Sequence, residues 1–112
     1  MRERMKVAYI AGPYRAATTA GIQWNILRAR NYAEKYWVLG YMAYCPHLNS
    51  QNMDGLVPDE VFLEGGLEML RRSDTIVMVP GWENSSGAKA ELAEAVRLGL
   101  EVIMEGADAN QI

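Results

Sequence analysis

Short apolar runs of strand length alternate along this chain with longer stretches of helical periodicity, and glycine or proline turns separate the two. That alternation predicts an α/β protein. The expected architecture is a small flavodoxin-like or Rossmann-like three-layer sandwich, with a parallel four- to five-stranded sheet covered on both faces. The 112 residues suffice for one compact core and not for two, so residues 1–112 are expected to form a single domain.

The first strand is read over residues 5–11, an apolar run that Gly12-Pro13 stops. A loop of small and hydroxyl side chains follows over residues 14–21. A helix is predicted over residues 22–39, because Ile22, Ile26, Ala29, Ala33 and Tyr36/Trp37 recur at helical spacing and Gly40 closes the run. The second strand occupies residues 41–45 and ends at Pro46. A polar loop is expected over residues 47–58, of a length that in small domains often serves function.

Asp59 is the expected N-cap of a second helix reaching Arg72, with Val61, Phe62, Leu67, Met69 and Leu70 as its core candidates. Gly65-Gly66 inside that helix is unfavourable, costing about 1 kcal/mol per glycine relative to alanine. The third strand covers residues 74–79, the third helix residues 85–99 and the fourth strand residues 101–104. The polar tail over residues 106–112 is expected to be loosely held.

Composition narrows the function classes. Half of the residues are apolar and 22% are charged, with a net charge of −3, so a general basic surface for a nucleic-acid polymer is not expected. An anionic small molecule would have to be held locally, by a helix end and an arginine. The single cysteine, Cys45, cannot form an intramolecular disulfide and fits a reducing compartment. The sequence shows neither a secretory apolar core nor a membrane-length span, so a cytoplasmic protein without membrane contact is expected. Cys45 and the only histidine, His47, do not make a zinc set, and no P-loop or GxGxxG pattern is present. Neither a metal nor a cofactor is expected.

The segment carrying most chemical information is Pro80-Gly81-Trp82-Glu83-Asn84-Ser85-Ser86-Gly87-Ala88-Lys89-Ala90-Glu91. A strand ending in such a turn and feeding a helix presents free backbone N–H groups and the positive end of the helix dipole. At 100° per residue, Ala88, Leu92, Ala95, Val96 and Gly99 share the side expected to face the sheet, while Lys89, Glu94 and Arg97 face water. Glu91 falls on the boundary. From geometry alone it is either a surface glutamate favoured by the dipole or a carboxylate presented to a cleft above the strand ends.

Three segments in order resemble the nucleoside 2-deoxyribosyltransferase family and the related 2′-deoxynucleoside 5′-phosphate N-hydrolases. They are Tyr9-Ile10-Ala11-Gly12-Pro13-Tyr14-Arg15, then Leu67-Glu68-Met69-Leu70-Arg71-Arg72-Ser73-Asp74, then Ser85-Ser86-Gly87 followed by Glu91. The resemblance covers residues 5–104. It implies that Glu91 is a nucleophile attacking the anomeric carbon, and that Tyr9 lies beside it and orients it. A carboxylate suits that chemistry, since cleaving an N-glycosidic bond develops oxocarbenium character that an anion stabilises and then traps as an ester.

For the substrate, the resemblance places Ser85 and Arg15 at positions that hold a 5′-phosphate, beside Gly12, Pro13, Ser86 and Gly87. Pro13 replaces a hydroxyl residue at the first turn. A larger departure is Gly66, where relatives carry an aspartate; Glu64, Glu68 and Asp54 are the acidic residues that could take its place. His47 and Trp82 complete the candidate binding set, the one against a base or leaving group and the other stacking on a base. Each has a plainer alternative: Tyr9 as a core aromatic, Ser85 as a helix cap, Arg15 as a solvated arginine, His47 in local hydrogen bonds and Trp82 covering the core.

Two other functions fit the same scaffold, a nucleotide-binding or sensor module without turnover and a ligand-free protein-interaction domain. Trp24, Leu27 and Val38 lie off the core face of the first helix, so a homodimer or larger homo-oligomer is expected.

Overall fold

The computed structural model describes residues 4–106. Within them four strands, β1 (Val7–Ala11), β2 (Met42–Tyr44), β3 (Thr75–Met78) and β4 (Glu101–Met104), form one sheet in the order β2-β1-β3-β4. Every neighbouring pair is parallel. Four α-helices among the described residues connect them: α1 (Thr19–Val38), α2 (Pro46–Asn49), α3 (Asp59–Leu70) and α4 (Ser86–Leu98). The fold is therefore the expected α/β layer architecture with a four-stranded parallel sheet.

Alternation along the central strands sorts side chains between two cores. Ala8, Ile10, Val77 and Val79 pack with Ala29, Ala33 and Tyr36 of α1. On the other face, Tyr9, Ala11, Ile76 and Met78 pack with Leu70 of α3 and with Ala88 and Ala95 of α4. Burial on both faces explains why β1 and β3 read as unbroken apolar runs. Among the described residues, no helix is long and apolar enough to cross a membrane.

Several expected boundaries shift for identifiable reasons. α1 begins at Thr19, not at residue 22, because the Thr18 hydroxyl oxygen accepts from the Gly21 N–H at 3.0 Å and caps the helix early. The expected loop over residues 47–58 opens as α2, with Pro46 in its first turn, where the missing N–H costs nothing. Asp59 is not the N-cap of α3. Pro58 holds that place, and Asp59 is the first helical residue with its carboxylate turned to Arg15. Of the core candidates on α3 only Leu70 is buried, while Val61 is 52% exposed, because α3 touches the rest of the domain along a narrow strip. The expected tail beyond residue 106 lies outside the described residues.

The sheet order creates a switch point. The chain leaves β1 toward β2 on one side, and β3 adds on the other side of β1. Connections diverging in this way open a crevice at the carboxyl ends of the two strands. Gly12 ends β1 there, and a Cβ at that position would lie 2.8 Å from the Cβ of Val79. The two backbones can approach because residue 12 has no side chain.

The glycine pair of α3 divides sharply. Among the described residues nothing lies within 4 Å of where a methyl carbon on Gly65 would stand, whereas the same position on Gly66 is occupied territory. Gly65→Ala should accordingly raise stability by about 1 kcal/mol through helix propensity, read as a higher unfolding midpoint in urea; a lower midpoint would contradict the open surroundings.

Candidate active site

The crevice at the switch point is a pocket of about 500 Å3. The turn after β1 supplies Gly12, Pro13, Tyr14 and Arg15, and the segment leading into α4 supplies Asn84, Ser85, Ser86, Gly87 and Ala88. His47 of α2 and Phe62, Leu63 and Gly66 of α3 form further walls, and Tyr9 and Glu91 lie at the meeting of β1 and α4.

Glu91 reaches this position by helix geometry. Ser85 caps α4, its hydroxyl oxygen accepting from the Ala88 N–H at 3.1 Å. Ala88 and Ala95 are buried against the sheet, and Glu91 sits between them in the row three and four residues apart. Its carboxylate is partly buried and faces β1. Tyr9, fully buried on the central strand, donates its hydroxyl to Oε2 of Glu91 at 2.6 Å. The ring is held below by Tyr44, 5.7 Å away between centroids. Among the described residues, Oε1 of Glu91 has no hydrogen-bond partner, and it is not a sealed orphan either. One oxygen is anchored and the other is available to the pocket.

Burial pushes the Glu91 carboxyl up to about 7, against the Tyr9 hydrogen bond, which pulls it down. Tyr9 is raised well above the usual phenol range, by burial first and then by the charge of Glu91, so it remains a proton donor at every ordinary pH. The pair is a carboxyl poised near neutrality with a permanent donor on one oxygen.

Residues 5–104 match the family model described as Domain of unknown function (DUF4406). The chain belongs to that family. No curated protein matches its sequence.

In this DUF4406 domain the candidates named from the sequence meet unequal fates. Tyr9, Gly12, Pro13, Arg15, His47, Ser85, Ser86, Gly87 and Glu91 all line the same pocket. Trp82 does not. Gly81, with φ of 95°, turns the chain into a short 3-10 helix over Trp82–Asn84, and the indole packs on the apolar cluster under α4. It covers the core, the plainer of its two expected roles, and does not border the pocket where a base would lie.

Arg15 reaches the pocket with its charge already engaged, 2.7 Å from Asp59 and 3.8 Å from Asp54. His47 is buried, and its Nε2 donates to the carbonyl of Pro13 at 2.8 Å. Burial holds the ring below its ordinary value despite that contact, so His47 is a neutral brace for the first turn. The serine at the head of α4 serves as a cap and as pocket wall together.

A helical wheel of α4 places Glu91 correctly but puts Val96, Gly99 and Glu94 on the wrong sides, Gly99 being exposed and not on the sheet. Val96 is 64% exposed, because only Ala88, Leu92 and Ala95 meet the sheet side. Glu94 does not simply face water. Arg97 and then Arg71, the residue that caps the end of α3, hydrogen-bond it and hold its carboxyl down at about 2, because α3 lies alongside that flank of α4.

Of the acidic residues that might replace the aspartate absent at residue 66, Glu64 and Glu68 pair with Arg71 and Arg72 outside the pocket. Asp54 lines it, accepting from the Tyr14 hydroxyl at 2.8 Å. Tyr14, Asp59, Glu60, Phe62 and Leu63 were not foreseen as site residues. Gly66 carried a signal, since a glycine deep in a helical pattern often marks close packing.

The raised carboxyl has a consequence for stability. The native state keeps its proton on Glu91 to about pH 7 while an unfolded chain releases it near 4.5, so stability is lost as pH rises between those values. Glu91→Gln stays neutral and can still accept from Tyr9. The variant should match the parent at pH 4 and exceed it at pH 8 by up to about 3 kcal/mol, measured by thermal unfolding; equal gains at both pH values would contradict a buried, proton-holding carboxyl.

Proposed function

We propose that this protein cleaves or exchanges the N-glycosidic bond of a 2′-deoxynucleoside or its 5′-monophosphate, with Glu91 as the nucleophile. The observation that supports the reading is the Tyr9–Glu91 pair, one oxygen anchored at 2.6 Å, at the wall of a pocket of about 500 Å3. A cavity of that size accommodates a small polar ligand of this kind.

In the proposed cycle the free Oε1 of ionised Glu91 forms a bond to the anomeric carbon as the C–N bond breaks. The electron pair of that bond leaves with the base, which takes a proton from solvent. Tyr9 keeps its own proton throughout and fixes the direction of the carboxylate. Water or a second nucleobase then attacks the glycosyl ester and regenerates the carboxylate. Hydrolysis and transfer differ only in which acceptor enters.

The charges along the wall bear on the substrate. Among the described residues, Asp54, Asp59, Glu60 and Glu91 line the pocket against the guanidinium of Arg15, itself paired with two of them. A dianionic phosphate would meet this wall unfavourably unless Arg15 left its partners, so the uncharged nucleoside is the form we favour. Gly12 and Gly87 border an open pocket, which takes away the motive for a ligand-free interaction domain.

We also propose self-association through the outer face of α1. Trp24, Leu27 and Val38 are 59%, 46% and 87% exposed there, more apolar surface than a lone helix usually leaves uncovered. Substituting Trp24→Lys together with Leu27→Lys should turn a dimer into a monomer in sedimentation with the fold preserved. A parent chain that sediments as a monomer would end this part of the proposal.

Catalysis is tested by incubating the protein with nucleosides and their monophosphates and separating free base by chromatography. Base release is expected to rise with pH to a plateau above about 7, as Glu91 ionises, and Glu91→Ala should lower it by at least about 1000-fold. Tight binding without base release would favour the non-catalytic module, and release that falls with rising pH would make Glu91 an acid instead of a nucleophile.

A further inference from the structure

The third helix approaches the Tyr9–Glu91 pair more closely than any side chain would permit. A Cβ on Gly66 would stand 2.7 Å from the Tyr9 hydroxyl oxygen, 3.9 Å from the carbon bearing it, and 3.5 Å from Oε2 of Glu91. The first distance is shorter than Cβ atoms tolerate, and Tyr9 cannot yield cheaply. Its ring is fully buried on the central strand, it rests against Tyr44, and a phenol carries its hydroxyl at a fixed reach from the backbone. A Cβ on the neighbouring Gly65 would meet none of the described residues within 4 Å, so helical propensity would be served by alanine at either position and is blocked by space at only one.

The geometry points to Gly66 as a positioning residue: its missing side chain makes the notch that seats the Tyr9 hydroxyl on Oε2 of Glu91 and leaves Oε1 as the oxygen facing the pocket. The backbone of α3 closes the pair from one side, so the carboxylate is confined between β1, α4 and α3. A methyl group in the notch would drive the hydroxyl off Oε2 and put apolar bulk beside that oxygen. Both changes disfavour the ionised carboxylate. The Cβ of an aspartate at this position would stand in the same notch. The consequence for turnover rests on the nucleophile role proposed for Glu91; the seating of the pair does not.

The test is a cycle of Gly66→Ala and Tyr9→Phe, singly and together, with Gly65→Ala as control. Carbon NMR of side-chain-labelled glutamate reads the Glu91 titration, and thermal unfolding reads stability. Gly66→Ala should move the Glu91 midpoint upward by about one unit, in the same direction as Tyr9→Phe, and lower the unfolding temperature by about 5 °C. In the Tyr9→Phe background, where the hydroxyl is gone and 3.9 Å remains to the ring carbon, the alanine should shift the midpoint by clearly less than in the parent, through its bulk beside Oε2 alone, and cost no stability. If Gly66→Ala alone does not fold, Tyr9→Phe must restore folding. An unchanged or lowered midpoint, or an alanine penalty equal in both backgrounds, overturns the proposal. None of these readouts needs turnover, so their failure leaves the glycosidase reading standing, and absence of base release leaves the notch intact.

Discussion

Tyr9 and Glu91 belong to elements far apart in sequence, the central strand and the fourth helix, and a hydrogen bond of 2.6 Å joins them where both border open space. Most features of the site follow from that contact. It requires a residue with long fixed reach on β1, where small side chains otherwise prevail. It requires α4 to begin where Ser85 caps it, so that the second turn brings a carboxylate over the strand. It also requires α3 to pass close by without a side chain, which Gly66 provides. Change the register of any one of these and the pair separates.

The layer architecture was legible because burial on both faces leaves an unmistakable mark. Residues 7–11 and 75–78 contain hardly a polar side chain, and such runs have few homes outside the middle of a parallel sheet. Helix ends were less legible. Thr18 capped α1 from within a stretch of small polar residues that reads as loop, and Pro58, with no side-chain cap to offer, outranked Asp59. These choices depend on where the chain arrives from, which local preference does not record.

Within the site, periodicity located Glu91 because α4 is a regular helix with two buried alanines to set its phase. The resemblance drew attention to Tyr9, and their contact is a matter of three-dimensional register that spacing alone could not supply. Which of its two expected roles Trp82 takes depends on the positive-φ turn at Gly81 and the short 3-10 helix it opens, a local path that composition does not reveal. Arg15 was found at the pocket but its partners were not, since Asp54 and Asp59 come from a loop and a helix start whose approach depends on the packing of α3. Glu94 shows the same limit: a wheel for one helix knows nothing of the arginine that the next helix brings.

Two local rules are broken in this domain, and they are broken at the same spot. A glycine in the interior of α3 sacrifices helix stability, and a glutamate facing the core of an α/β sandwich holds a proton it would ordinarily release. Either alone could be incidental. Together they are complementary, since the glycine supplies the space in which the glutamate and its tyrosine meet. Neither serves its own element: alanine at residue 66 would suit the helix taken alone, though not the Tyr9 hydroxyl beside it, and an apolar residue at 91 would avoid burying a carboxyl. Both costs, adjacent and bordering a cavity, are what the proposed role of Glu91 requires, a carboxylate held in a defined direction.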